Sequence, residues 1–397
     1  MPKPRAETDE RIDDVEVWNR EDASDLARPT DPAKYSIVVA SRDWTIATVV
    51  NQIRDGNIDL DPAFQRRNAW RDSRRSRLIE SLILGFPVPQ IVLAEDPRRR
   101  GTFIVIDGKQ RLMTIAGLFL PSYRSYWAQP RFSGLDAITD LNGVRLDTFL
   151  TEATHSNSLR ILSNADIRTT VIVGFQDESV LYDIFYRINT GSVPLSSQEL
   201  RQVLNRGEFA KYLLSITSNS NPLWDVLKIE SPDPRLRDVE LLLRLVALQR
   251  FSSSYRGNMK AFLDNAMIDL NAAWSKERTG IEHVVAQLFL AIETSVRIFG
   301  DEVGRKLKEG KYERQLNRAL FEVQAFYFSI PKVRSTALRK KTELLRASKQ
   351  LFSDQDFLSS IESTTKSLDN YRTRFDKYRT MLQKGTPDFP LKVAALV

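Results

Sequence analysis

The chain contains no cysteine and only two histidines in 397 residues. Disulfides and thiolate metal sites are therefore excluded, and His155 and His283 are too few to build a multi-histidine cage. No run of 18 apolar residues occurs, and the start, Met1-Pro-Lys-Pro-Arg-Ala-Glu7, has no apolar stretch of the kind a secretory leader needs. Read from the sequence alone, the expectation is a cytoplasmic chain without a membrane partner. A repeat of fixed period, the mark of a solenoid, is also missing.

What is present is enough apolar sequence, 42% of residues, to bury a full core, and a length that suits two domains. The net charge of +7 is unevenly distributed. Residues 1–34 hold ten acids and six bases, which leaves +11 on the remainder. A basic body suits a polyanion such as DNA, and it also suits helices solvated by Lys and Arg. The 1–34 segment, rich in Pro, Asp and Glu and poor in apolar residues, is expected to be a disordered acidic arm.

Apolar spacing organises the rest. A strand is expected at 35–40, a helix over 45–55, and a helix from Asp72 or Ser73 to about Leu84, with Leu78, Ile79, Leu82 and Ile83 as its apolar stripe and Arg74, Arg75 and Arg77 off it. Strands follow at 90–94 and 102–106, then a helix over 109–120, an irregular insertion over 122–165 and a strand from Thr169. An amphipathic segment runs from Glu178 to Asn189, and Ser196-x-x-Glu199 fits a capping box. Beyond 206 the spacing is helical, over 240–251, 258–274, 281–299, 316–328, 341–352 and 356–378. The fold class is thus α+β followed by an all-helical domain. The divisions fall at 35–205 for the first domain and 206–385 for the second, with a loose end at 386–397.

The most informative stretch is Phe103-Ile-Val-Ile-Asp107-Gly108-Lys109-Gln110-Arg111. A strand that breaks at Asp-Gly and restarts as a helix turns backbone N–H groups toward an anion. Asp107 there can hold a water or a Mg²⁺ ion, Gly108 lets a ligand approach the backbone, and Arg111 offers a fork to phosphate oxygens. The plainer alternative makes Asp107 a helix cap and Arg111 a surface charge. The stretch is not a Walker A loop, because Gln110 follows Gly-Lys and the earlier Gly is missing.

A second set of groups is Phe64-Gln65-Arg66-Arg67 with Trp70, able to clamp a base and its phosphates, although core anchoring is the simpler role for Phe64 and Trp70. Asn189-Thr190-Gly191 reads as a helix C-cap, or as a ligand-facing loop if it folds beside Asp107. Arg98-Arg99-Arg100 and Arg339-Lys340-Lys341 are basic clusters that can meet DNA phosphates or simply face water.

Several of these motifs, in this order, resemble the ParB-like amino-terminal domain of GmrS/GmrD-type restriction proteins. They are Pro62-x-Phe-Gln-Arg66 with Trp70, Leu78-Ile-Glu-Ser-Leu-Ile-Leu-Gly-Phe-Pro-Val-Pro89, Ile106-Asp-Gly-Lys-Gln-Arg-Leu112, and Phe185-Tyr-Arg-Ile-Asn-Thr-Gly191 followed by Pro194-Leu-Ser-Ser-Gln-Glu-Leu200. Arg237 to Met267 resembles the helical part that follows in that family, so the likeness covers about residues 40–270.

The resemblance implies a ParB/sulfiredoxin-like fold and a nucleotide-binding, NTP-hydrolysing component of a DNA restriction or anti-phage defence system. The family's Asp-Gly-Gln-Gln-Arg motif maps onto Asp107, Gly108, Lys109, Gln110 and Arg111, with Lys109 in place of the first Gln. On this reading Asp107, Arg111 and Arg66 are catalytic, and Gln65, Arg66, Gly108, Lys109, Gln110, Arg111 and Asn189 bind the nucleotide. Asp107 holds Mg²⁺, and the basic clusters hold DNA. Longer relatives add a histidine-metal nuclease domain, for which two isolated histidines do not suffice, so a separate nuclease or effector protein is the expected partner. A homo-oligomer is compatible with this reading. A nucleotide-sensing DNA-binding regulator without turnover, and a ParB-like nuclease, are the competing readings.

Overall fold

In this computed structural model the residues described are 37–58, 60, 70–96, 99–175, 180–181, 184, 196–362 and 367–385. The arm at 1–34, the end at 386–397, and Phe64, Gln65, Arg66, Arg98 and Asn189 lie outside them. Two compact units divide between positions 195 and 196, ten residues before the expected boundary. The reason is local: the helix opened by Ser196 packs with the helices that follow it.

The first unit is built on a four-stranded sheet of order β1-β4-β2-β3, from β1 (Val38–Thr45), β2 (Ile91–Glu95), β3 (Phe103–Asp107) and β4 (Asp166–Val173). β2 and β3 form the expected antiparallel hairpin, β1 pairs antiparallel with β4, and β2 pairs parallel with β4, Ile91 opposite Thr169 and Leu93 opposite Val171. The central position of β2 explains its unbroken Ile-Val-Leu-Ala run: its four residues are all buried, as both faces of a parallel-paired strand demand.

Helix α1 (Ile46–Arg54) begins where the Thr45 hydroxyl accepts the N–H of Thr48 at 3.1 Å, and it buries Ile46, Val49, Val50 and Ile53 at helical spacing. Helix α2 (Asp72–Ile83) departs from expectation at both faces. Asp72 is the first helical residue, preceded by Arg71 and without a side-chain cap, and Arg75 lies on the apolar side with no exposed surface. Gly85, at φ +71°, ends the chain's helical course two residues later. Helix α3 (Lys109–Phe119) follows β3 directly.

Residues 122–165 are not irregular. They hold α4 (Leu146–Thr151), α5 (Ser156–Asn164) and three short 3₁₀ turns, with Tyr126, Trp127, Phe132 and Phe149 in the core. What orders the loop between 127 and 138 is a ladder of polar side chains four residues apart on α2. Asp72 accepts the N–H of Ala128 (3.2 Å) and of Gln129 (2.6 Å), Ser76 that of Ser133 (3.0 Å), and Glu80 those of Ala137 and Ile138 (2.8 Å each). Arg77 adds a bond to the carbonyl of Gly134 at 2.9 Å. This side of α2 is polar because its partner is loop backbone, whose N–H donors its side chains accept.

The second unit is helical: α6 (Ser197–Leu204), α7 (Glu208–Thr217), α8 (Pro222–Leu227), α9 (Arg237–Phe251), α10 (Met259–Phe299), then α11 (Arg318–Phe328), α12 (Pro331–Arg339), α13 (Lys341–Leu351), α14 (Gln355–Glu362) and α15 (Leu368–Gly385). The capping box at α6 is complete, Ser196 and Glu199 each accepting the other's backbone N–H. Four details differ from the apolar reading. The two helices expected over 258–299 are one, because Ser275 to Gly280 is an exposed turn of α10 without an apolar residue rather than a break. The single helix expected over 356–378 is two, α14 and α15. A small hairpin of β5 (Leu307–Lys308) and β6 (Lys311–Tyr312) appears, as does α12, whose Pro331 occupies its first turn. By length and composition α10 could cross a membrane, yet its apolar side is buried against α9 and α11.

Three arginines and two glutamates meet inside this unit. Glu240 accepts from Arg244 (3.3 Å) and Arg318 (3.2 Å), and Glu322 accepts from Arg244 (2.7 Å) and Arg374 (3.2 Å). All five are almost wholly buried, tying α9, α11 and α15 together.

The α2 ladder gives a pH prediction. Burial would raise the Glu80 carboxyl, but the N–H groups of Ile138, Ala137 and Asp136, with Arg77 nearby, outweigh it and hold the pKa below the ordinary value. Its contribution is complete above the usual carboxylate range and is lost as pH falls through the depressed value. Glu80→Gln is expected to lower the first unit's stability by about 2 kcal/mol at pH 7. The difference from wild type should shrink on acidification, as followed by denaturant unfolding between pH 7 and pH 3.

Candidate functional site

The turn after β3 is shaped by one backbone torsion. Gly108 sits at φ +93°, a left-handed conformation that only glycine adopts without cost, and it precedes α3 with no side-chain cap. A Cβ at this position would lie 3.1 Å from Ile91 Cγ1 and 3.2 Å from Arg111 Nη2. Torsion thus favours glycine, and a Cβ would also push Ile91 or Arg111 aside by a few tenths of an ångström. The outcome is that the guanidinium of Arg111 folds back over the start of its own helix.

Arg111 is held there by two bonds from one nitrogen. Nη2 donates to Asp107 Oδ2 at 2.8 Å and to the carbonyl of Gln90 at 2.8 Å. The Gln90 side chain accepts in turn from the hydroxyl of Thr170 at 3.0 Å. The turn is thus braced by the chain entering β2, by the last residue of β3 and by β4. Asp107 and Arg111 keep 29% and 12% of their side-chain surface exposed, so the pair stands at the edge of the core rather than inside it. Arg111 Nε and Gln110 Oε1 are covered atoms without a hydrogen-bond partner among the described residues. Groups of this kind ask for a ligand or a water.

Helix α2 supports α3 from its buried side. Arg75 Nη1 donates to the Thr114 hydroxyl at 3.2 Å, and that hydroxyl donates to the Gln110 carbonyl at 2.7 Å. Burial lowers the Arg75 pKa to about 10, against the opposing pull of Asp72 and Tyr126. It remains a cation at neutral pH. Arg75, Gln90, Thr114 and Thr170 are site-supporting residues that motif reading missed. For Arg75 a signal existed, since it lies three and four residues before Leu78 and Ile79, on their side of the helix.

Of the residues singled out in the sequence, Asp107, Gly108, Lys109, Gln110 and Arg111 form this turn, while Gln65, Arg66 and Asn189 are outside the described residues. Trp70 packs partly buried against the core, with the Arg74 guanidinium 4.5 Å from its ring centroid. Arg99 and Arg100 are exposed in the β2–β3 turn, and Arg98 is not described. Arg339, Lys340 and Lys341 lie at the α12–α13 junction. There Lys341 donates to the Arg297 carbonyl at 2.7 Å, close to the carboxyl end of α10, and Arg339 to Thr336 Oγ1 at 3.2 Å. Among the described residues no group of three His, Asp or Glu side chains could hold a metal ion. A Mg²⁺ ion here would have to share Asp107 with ligand phosphates and waters, a coordination that Mg²⁺ commonly accepts.

Residues 46–204 match the family described as the GmrSD restriction endonuclease N-terminal domain. The similarity to that family is confined to this segment. The matched span begins with α1, contains the whole Asp107 turn and ends with the last residue of α6. No curated protein and no solved structure gives a significant match. The GmrSD-type segment therefore covers about two fifths of the chain, and α7 to α15 lie beyond it.

The double demand on Gly108 is testable. Gly108→Ala is expected to cost about 2 kcal/mol through the strained torsion and the crowding of Arg111. Gly56→Ala, at a turn with open space around it but a similar positive φ, should cost less. Denaturant titration of the two variants measures the difference.

Proposed function

We propose that this chain is a nucleotide-binding, NTP-hydrolysing component of a restriction or anti-phage defence system, and that the Asp107 turn of a ParB-like first unit is its nucleotide site. One observation carries the reading: a guanidinium fixed over the glycine-led start of a helix, with Arg111 Nε and Gln110 Oε1 left without protein partners among the described residues. A helix start and a forked cation together favour a phosphate. The GmrSD-type match over the same residues supports the assignment to a restriction system.

In this mechanism Arg111 neutralises the charge that develops on the transferred phosphoryl group, and Gln110 and Lys109 position the chain of phosphates. Asp107 keeps Arg111 in place through Oδ2, leaving Oδ1 for a water or for Mg²⁺. Arg66, Gln65 and Asn189 complete the nucleotide contacts. When bound, Mg²⁺ would draw charge from the phosphate oxygens.

DNA is assigned to the basic body. Residues 331–350 hold seven Lys or Arg and one Glu, and the exposed Lys332, Arg346 and Lys349 have no ion-pair partner among the described residues. Arg339 to Lys341 fall in the same stretch of sequence, and Arg98 to Arg100 are a second basic run. Cleavage is assigned to a separate nuclease or effector, because two histidines cannot supply a histidine-metal centre.

A second reading is favoured by the Asp107–Arg111 pair itself. A carboxylate already engaged by a cation is a poor activator of water, so a regulator that senses a nucleotide without turning it over also fits. Phosphate release separates the two. Asp107→Ala retaining full turnover would remove Asp107 from catalysis, and no release from wild type with tight triphosphate binding would favour the sensor.

Arg111→Ala is expected to weaken triphosphate binding by about 30-fold, as expected when a charge-assisted bond is removed, with calorimetric titration as the readout. For DNA, replacing Lys332, Arg346 and Lys349 by Ala should flatten the dependence of log affinity on log salt by roughly 0.9 for each phosphate no longer neutralised. An unchanged slope would move DNA elsewhere on the chain.

A further inference from the structure

α2 carries a wholly buried arginine where an apolar residue would have extended the Leu78, Ile79 and Leu82 stripe without the penalty of burying a charge. Packing alone gives no reason for Arg75. Its contacts do. Nη1 donates to Thr114 Oγ1 (3.2 Å) on α3 and Nη2 to the Trp70 carbonyl (3.3 Å) at the entry to α2, while Nε stands 3.7 Å from Asp72 Oδ1.

Two of these partners, Thr114 and Asp72, pass the contact on. The Thr114 hydroxyl has one proton, and it goes to the Gln110 carbonyl at 2.7 Å; its lone pair takes the Arg75 proton. The Asp72 carboxylate holds the N–H groups of Ala128 and Gln129. Trp127 Nε1 returns to the Thr114 carbonyl at 3.4 Å, so the 127–129 loop meets α3 at the same residue. The Arg75 fork thus joins the start of α2, the first turns of α3 and the loop after Tyr126. A lysine gathers its donors on one nitrogen, whereas the guanidinium reaches Thr114 and the Trp70 carbonyl from two separate nitrogens while its charge faces Asp72.

We infer that Arg75, acting through Thr114, is a positioning residue that holds the first turn of α3, and with it Gln110 and Arg111, in the geometry of the site. Its functional consequence rests on the phosphate reading of the Asp107 turn; the mechanical link does not. Asp107 and Gln90 fix the end of Arg111's side chain, whereas Arg75 fixes the backbone from which that side chain springs. Two independent restraints are what a preorganised site needs.

The test uses the full chain with Thr114→Val, which keeps the shape and removes the hydroxyl, Thr114→Ser, which restores it, and Arg75→Lys, which keeps the charge and removes the fork. Amide hydrogen exchange is measured over 108–119 and over α5 (156–164) as an internal reference, and Mg–ATP and Mg–GTP are titrated by calorimetry. In Thr114→Val and Arg75→Lys, amides from Leu112 to Ala116 should exchange about tenfold faster while α5 is unchanged, and Thr114→Ser should match wild type. Triphosphate affinity should fall by about tenfold in the same two variants only. Wild-type protection of α3 in Thr114→Val, equal loosening of α5, or no restoration by Thr114→Ser would overturn the assignment. Should Arg75→Lys not fold, Thr114→Val against Thr114→Ser decides. If wild type binds neither triphosphate, the phosphate reading fails, and the exchange pattern still decides the link from Arg75 to α3.

Discussion

The first unit depends on how helix α2 satisfies the backbone of the loop laid against it. A loop that lies against a helix brings N–H groups that need fixed acceptors, and those of Ser133, Ala137 and Ile138 are part-buried, where an unmade bond costs the fold free energy. Asp72, Ser76 and Glu80 supply those acceptors at four-residue intervals, while the other side of the same helix packs Leu78, Ile79 and Leu82 into the core. α2 is therefore amphipathic in an unusual sense, apolar toward the core and polar toward a loop that is itself packed. The Asp107 turn inherits its rigidity from this arrangement, since the helix that clasps the loop also braces α3 through Arg75.

The second unit meets the same problem with ions. Glu240 and Glu322, each bonded by two of the three arginines 244, 318 and 374, leave water together, and the geometry of their bonds offsets the cost of desolvation. Such a cluster contributes less to net stability than apolar packing of the same volume would. Its effect is on register: a misaligned α9, α11 or α15 strands a charge, so slipped packings are penalised more heavily than in an all-leucine interior.

Much of this architecture is legible in residue spacing. The β2–β3 hairpin, α1 with its apolar spacing, the Gly108 break and the Ser196–Glu199 box are local features, in which neighbouring residues settle the conformation. What spacing cannot show is tertiary. Residues 122–165 read as irregular because their order is imposed by side chains some 56 positions earlier in the chain. Spacing to Leu78 and Ile79 shows which side of α2 Arg75 occupies, but not that its partner is Thr114, 39 positions away. The centre of α10 reads as a gap because an exposed helical turn has no apolar residue to register, even though Arg278 pairs with Glu282 across it. Of the site, the turn itself is visible in the sequence, and the restraints that hold it are not.

The pairing of β2 with β4 carries a cost during synthesis. The buried Ile-Val-Leu-Ala strand leaves the ribosome with its β3 partner close behind, but Thr169 and Val171, which cover its other edge, follow roughly 80 positions later. At about 5–20 residues per second, that edge waits several seconds or more for its neighbour. β1 waits even longer for the same strand. Through that interval the nascent chain presents an unpaired apolar edge beside the Asp107 turn, and the sheet closes late, as non-local pairing requires.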